Sequence, residues 1–123
     1  MVLILRLYTV SRTVLRFDSS PTVEHLGEAL SAFLFIEVTP SDATKFAEYE
    51  AGAVQIAIRH GGELLAHDTD PLLIERDNAP AIAVLMKFPD KQAVRAYFDD
   101  PDYAPLRELR QSVSRASAIA VGA

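Results

Sequence analysis

The sequence predicts an α+β domain of ferredoxin-like type, with elements in the order β-α-β-β-α-β, an antiparallel sheet and its helices on one face. Three observations predict it. Apolar residues switch along residues 32–121 between a period near two and a period near 3.6. Glycine, proline and aspartate punctuate the switches at helix starts and stops. The strand segments are apolar on both faces, as in a sheet covered twice.

Residues 1–17 read as extended, with Val2, Ile4 and Tyr8 alternating with Leu3, Leu5 and Leu7. Ser20 as N-cap and Pro21 at the first helical position then open a short helix to Leu30, with Val23 and Leu26 on its apolar face. Residues 1–30 are therefore expected to form an N-terminal extension to a domain over residues 31–123. The domain opens with a strand at 32–38. A helix at 41–59 follows, carrying Phe46, Tyr49, Ala53 and Ile56 at helical spacing and ending at Gly61-Gly62 as a left-handed C-cap requires. Residues 63–67 are a second strand, 72–75 a short extended piece and 81–88 a third strand. Pro89-Asp90 opens a helix with Val94, Tyr97 and Phe98 inward. Asp100-Pro101 opens the next, with Tyr103, Leu106, Leu109 and Val113, and a last strand covers 116–121.

Composition excludes several function classes. Half of the 123 residues are hydrophobic and 24% are charged, so the chain is not an apolar-poor disordered one. There is no cysteine, which removes disulfides, thiolate metal sites and a cysteine nucleophile. A net charge of −5 argues against nucleic acid as partner. No apolar run approaches the roughly 18 residues of a bilayer span. Arg6, Arg12 and Arg16 follow the first apolar stretch, the reverse of a secretory signal. A cytoplasmic protein without a membrane partner is expected.

Both strand faces matter for assembly. Ala32, Leu34, Ile36 and Val38 share one side of the first strand, and Phe33 and Phe35 the other. In the third strand Ile82, Val84, Met86 and Phe88 oppose Ala81, Ala83 and Leu85. Helices cover one face of such a sheet. The second face calls for another cover, and the same sheet of a second copy is the simplest one. A homodimer is expected.

From about residue 32 to 122 the chain resembles a known family, the domain of unknown function 1330. The resemblance rests on Phe46 to Tyr49, Arg59-His60-Gly61-Gly62, Ile74-Glu75 and Lys87-Phe88-Pro89. It continues through Ala96-Tyr97-Phe98-Asp99-Asp100-Pro101-Asp102-Tyr103, Leu109-Arg110-Gln111 and Arg115-Ala116. It implies a ferredoxin-like subunit that pairs sheet to sheet as a dimeric α/β barrel, and it brings no catalytic residues. This chain departs from the family pattern at Arg76, where a glycine is usual, and at His60 and Asn78, where aromatics are usual. Residues 1–30 are additional.

Arg110 is the most informative charge. It shares the apolar helix face of Leu106 and Val113, where an unpaired charge is strongly disfavoured. Glu75 is its expected partner. A ligand carboxylate gripped by the guanidinium fork is the functional alternative. His60 is a candidate general base, although a helix C-terminus also favours a histidine. Gly61-Gly62 interrupts the spacing of His60, Glu63 and His67, so no metal site is expected. His67 is expected on the side of Leu65. No nucleotide loop or nucleophile elbow occurs, and no cofactor is expected.

These residues support a small-molecule-binding homodimer, its pocket between sheet and helices and lined by Phe35, Tyr49, Met86, Tyr97 and Arg110. Two alternatives stand beside it. One is a cofactor-independent enzyme, monooxygenase- or isomerase-like, that uses His60, Glu75 and Arg110. The other is an assembly module acting through residues 1–30.

Overall fold

The computed structural model describes residues 30–123. The expected extended segment at 1–17 and the body of the helix begun at Ser20 lie outside the described residues. The order is β1 (Ala32–Pro40), α1 (Ala43–Arg59), β2 (Glu63–Asp68), β3 (Ile82–Phe88), α2 (Lys91–Asp99), a 3-10 turn (Pro101–Tyr103), α3 (Ala104–Val113) and β4 (Ser114–Gly122). The strands form one antiparallel sheet in the order β2-β3-β1-β4. This is the ferredoxin-like arrangement of the βαββαβ pattern.

The chain ends its helices where its chemistry allows. Asp42 caps α1 by accepting from the Lys45 amide at 3.0 Å. Asp90 caps α2 through the Ala93 amide at 2.8 Å. Each satisfies one of the free amides of a first turn. Helix α1 ends on His60, and Gly61 then takes φ +83°, a conformation that glycine adopts without a Cβ penalty. The Gly62 amide returns to the Ala57 carbonyl at 2.7 Å. A Cβ on Gly62 would stand 2.8 Å from that carbonyl oxygen and from the Phe88 ring, so only glycine fits. The segment expected as one helix after Asp100 is split, with the 3-10 turn preceding α3. Strand β4 begins at Ser114, two residues earlier than its composition indicates.

Strand alternation sorts the side chains as expected. Ala32, Leu34, Val38, Met86 and Phe88 are buried and pack with Phe46, Tyr49, Ala53, Ile56 and Ala57 of α1. Val94, Tyr97, Tyr103 and Val113 complete the core from the other helices. On the opposite face the register sets Phe35 beside Leu85 and Ile119, and Phe33 beside Val121. Phe35 is 38% exposed, Ile119 60% and Val121 58%, so nothing among the described residues covers this apolar face. No helix among the described residues is long and apolar enough to cross a membrane.

Candidate functional site

A cavity of about 290 Å³ lies between the core face of the sheet and the helices. Strand residues Ile36, Val38, Leu64, Val84 and Met86 form its floor, and Phe46, Ala53 and Val54 of α1 one wall. Its walls are apolar except at two places. Tyr49, Tyr97 and Arg110 meet it from three different helices, and Glu50 and His67 meet it from α1 and β2.

Helical spacing explains the first group. Phe46, Tyr49 and Ala53 project from one face of α1, three and four residues apart. The Tyr49 hydroxyl lies 2.7 Å from that of Tyr103. The Tyr97 ring packs at 5.1 Å from Tyr103 and stacks at 5.7 Å on Phe88. Burial pushes the Tyr49 phenol far above its ordinary range; Tyr97 and Tyr103 reinforce this, and the positive charge of Arg110 opposes it. Burial acts on Tyr97 in the same direction. Both phenols therefore stay protonated and can donate hydrogen bonds.

Arg110 brings its guanidinium to this cluster from α3. Its Nε is buried and has no hydrogen-bond partner among the described residues. A buried charged donor left without a partner costs on the order of 1–3 kcal/mol or more. The expected Glu75 does not meet it. Glu75 is exposed in the loop at 69–81, on the run that follows β2. Its neighbour Arg76 makes the loop's ion pair instead, donating to Glu37 from Nη2 at 2.7 Å and from Nη1 at 3.2 Å.

Two further expectations need correction. Phe35 does not line the cavity, because strand alternation turns it to the opposite face from Leu34 and Ile36. His60 is absent from the cavity as well. As the cap of α1, it lies with Nε2 2.8 Å from Asp100 Oδ2. Arg59 Nη1 donates to Asp100 and Asp102 at 3.0 Å each. The hydrogen bond with His60 is the largest of the contacts that hold the Asp100 carboxyl below its ordinary value. Of the residues expected around a ligand, Tyr49, Met86, Tyr97 and Arg110 share the one cavity.

The sequence set His67 on the side of Leu65, away from any pocket, and nothing in it singled out Glu50. His67 Nε2 lies 2.8 Å from Glu50 Oε2. Strict alternation sets His67 with Leu65, away from Leu64. A bulge at Leu65 shifts the register between Leu64 and Ala66, so Leu64 pairs with Met86 and His67 with Val84. Both then face the cavity, since a one-residue slip exchanges the two faces of a strand. No glycine or proline marks the bulge, so no residue there signals it.

Fold and cavity together define a ferredoxin-like α+β protein with a half-open pocket between its sheet and its helices. The chain belongs to the family described as domain of unknown function (DUF1330), whose model matches residues 31–123. A protein of unknown function from Rhodopseudomonas palustris is similar at 17% identity and TM-score 0.67, over 85% of this chain and 95% of that one. A dimeric ferredoxin-like protein of unknown function from Jannaschia sp. CCS1 is similar at 16% identity and TM-score 0.62, over 76% and 99%. SnoaB, a cofactor-independent oxygenase from Streptomyces nogalater, is similar at 20% identity and TM-score 0.58, over 77% and 94%. At these identities the likeness establishes the fold alone. No curated protein matches.

Proposed function

We propose that this chain forms a homodimer, sheet against sheet, and binds a small apolar molecule through a carboxylate. The buried, unpartnered Nε of Arg110 at the wall of an apolar cavity carries the ligand reading. An anionic oxygen at that wall gives the guanidinium its missing partner, and the Tyr49 and Tyr97 phenols are available as further donors. The apolar remainder of the ligand is expected to lie over Ile36, Val84 and Met86. The enzyme reading built on His60, Glu75 and Arg110 loses its support, because these residues do not share the cavity.

The dimer rests on the uncovered face of Phe33, Phe35, Leu85, Ile119 and Val121. A patch of that kind is normally buried in an assembly. The interacting unit is then the domain at 31–123, with residues 1–30 as an extension, working in the cytoplasm without nucleic acid. Light scattering should give twice the chain mass of 13.5 kDa, and Phe35→Asp should halve it. A single-chain mass for the unaltered protein overturns the dimer. Calorimetry with octanoate and octanamide tests the ligand class. Octanoate should bind roughly ten- to a hundredfold more tightly, and Arg110→Gln should erase the difference. Equal affinities for acid and amide would remove the carboxylate reading.

A further inference from the structure

We infer that the cavity is a proton-transfer site, in which His67 is the general base for an apolar 2-oxo carboxylate held by Arg110. The inference rests on the carboxylate reading above and adds a reaction to it.

The cavity has two polar places, and carboxylate binding uses one of them. The other is the His67–Glu50 pair, joined at 2.8 Å on the same cavity lining. A carboxylate accepts hydrogen bonds, so it selects the imidazole tautomer whose Nε2–H donates to it. Nδ1 then carries the lone pair, which makes His67 a base of fixed orientation. The side chains of His67 and Glu50 are about one-third exposed, and among the described residues they hydrogen-bond to each other. His60 has no comparable freedom, since its carboxylate also engages Arg59 and a backbone amide.

The backbone supplies the second argument. Without the bulge at Leu65, alternation turns His67 to the outer face of the sheet. With it, His67 stands over Val84 and faces the cavity. A bulge interrupts the ladder and leaves a residue unpaired, and bulges recur beside active sites, where they re-aim a side chain. Here the side chain re-aimed is the one with a carboxylate partner.

The chemistry balances without a co-reactant. His67 Nδ1 takes a proton from the carbon next to the 2-oxo group. The C–H electron pair forms the new C=C bond, and the carbonyl π pair moves to its oxygen. That oxygen takes a proton from water, His67 releases its own proton to water, and the product is the enol of the same molecule; the reverse steps return a solvent proton to the carbon. The Tyr49 and Tyr97 phenols, held protonated by burial, are donors for the developing oxyanion. Glu50 is a positioning residue, because it acts through His67.

The test uses the full chain with phenylpyruvate and 4-methyl-2-oxopentanoate in deuterated buffer. Proton NMR reads deuterium uptake at C3, and calorimetry reads binding of the same probes. Uptake should rise in proportion to protein, and His67→Gln should lower the protein-dependent rate by about a hundredfold while binding is kept. Glu50→Gln should lower kcat about tenfold with KM within twofold, the split expected of a positioning residue. If the unaltered protein binds either probe yet uptake equals that in buffer, the proton-transfer site is overturned and the carboxylate reading stands. Equal rates for His67→Gln and the unaltered chain overturn it too. If the folded chain binds neither probe, the reaction is overturned, and the octanoate comparison decides the carboxylate reading by itself.

Discussion

Among the described residues, two histidine–carboxylate pairs have the same length, 2.8 Å, and opposite surroundings. His60–Asp100 closes a network. Asp100 also accepts from Arg59 and from the Asp102 amide, and its side chain is 9% exposed. His67–Glu50 lines a cavity, each side chain about one-third exposed. Arg110 belongs with the second pair, since its Nε has no partner among the described residues. Where one carboxylate is shared by a histidine, an arginine and a backbone amide, it holds two elements together, here the end of α1 and the turn before α3. Where valences are left over at a concave apolar surface, the proposed function assigns the group to a ligand.

The strongest way to break that comparison is Arg110→Met. If Arg110 is kept for a ligand, removing it should abolish the preference for octanoate over octanamide. In the empty protein it should also raise stability by about 1–3 kcal/mol, because an unsatisfied buried donor disappears into an apolar wall. Thermal melting with and without octanoate reads both effects. A lower melting temperature without ligand would show that Arg110 holds structure, as Asp100 does.

The next effect is expected at Asp100. Asp100→Ala removes the acceptor shared by Arg59, His60 and the Asp102 amide, and it should lower the melting temperature clearly. His67→Gln should leave it nearly unchanged. The sign of the pH dependence follows from the lowered Asp100 value. The folded state binds this proton less readily than the unfolded state does. The contribution of Asp100 is therefore complete above its ordinary value of 3.8 and is lost as pH falls through the depressed folded value. Acid melts of Asp100→Asn should lack that part of the slope. An acid slope equal to that of the unaltered chain would show that the network is not coupled to folding.

The caps and turns of the first region are legible in the sequence, although the His60–Asp100 contact is not, and much of the second region is not. Asp90, Asp100 and Gly61-Gly62 act on the backbone within a few residues, so their roles can be read locally. The faces of β1 and β3 follow from strict alternation, and the inward Tyr49, Tyr97 and Tyr103 from helical spacing. The cavity depends on longer connections. His67 is turned inward by a bulge that leaves no mark in composition. Glu75 pairs with Arg110 only if the loop at 69–81 reaches the helices, and that loop is tied to Glu37 through Arg76 instead. Phe35 and His60 are chemically suited to a pocket, and one strand face and one helix end place them elsewhere.

The tyrosines of the cavity predict a smaller effect, seen at high pH. Burial raises Tyr49 and Tyr97 above the ordinary value of 10.0, so above that pH the unfolded chain loses these protons while the folded one keeps them. Their contribution is fully present below about pH 10 and is lost as pH rises through the folded values. Denaturant melts at pH 8 and pH 11 should show a loss of stability that shrinks in Tyr49→Phe. At pH 8 that variant should be weaker by about 1 kcal/mol, for the hydrogen bond with Tyr103. An undiminished alkaline loss in Tyr49→Phe would mean that other groups carry it.

The smallest effect concerns another ion pair, Arg76–Glu37, and it tests whether completed contacts can outweigh a strained backbone. Arg76 has φ 135°, in the region that favours glycine. A side chain in a disfavoured conformation costs on the order of 1–3 kcal/mol. A two-bonded arginine–carboxylate pair, with Arg76 47% and Glu37 23% exposed, returns up to about 1 kcal/mol. Arg76→Ala keeps the strain and loses the pair, so it should be the least stable of the three residues at this position. Arg76→Gly loses the pair, relieves the strain and adds unfolded-state entropy, so it should lie within about 1 kcal/mol of the arginine chain. Urea melts rank the three. If alanine is as stable as arginine, the pair contributes nothing, and the Arg76 contacts do not account for the arginine in place of glycine.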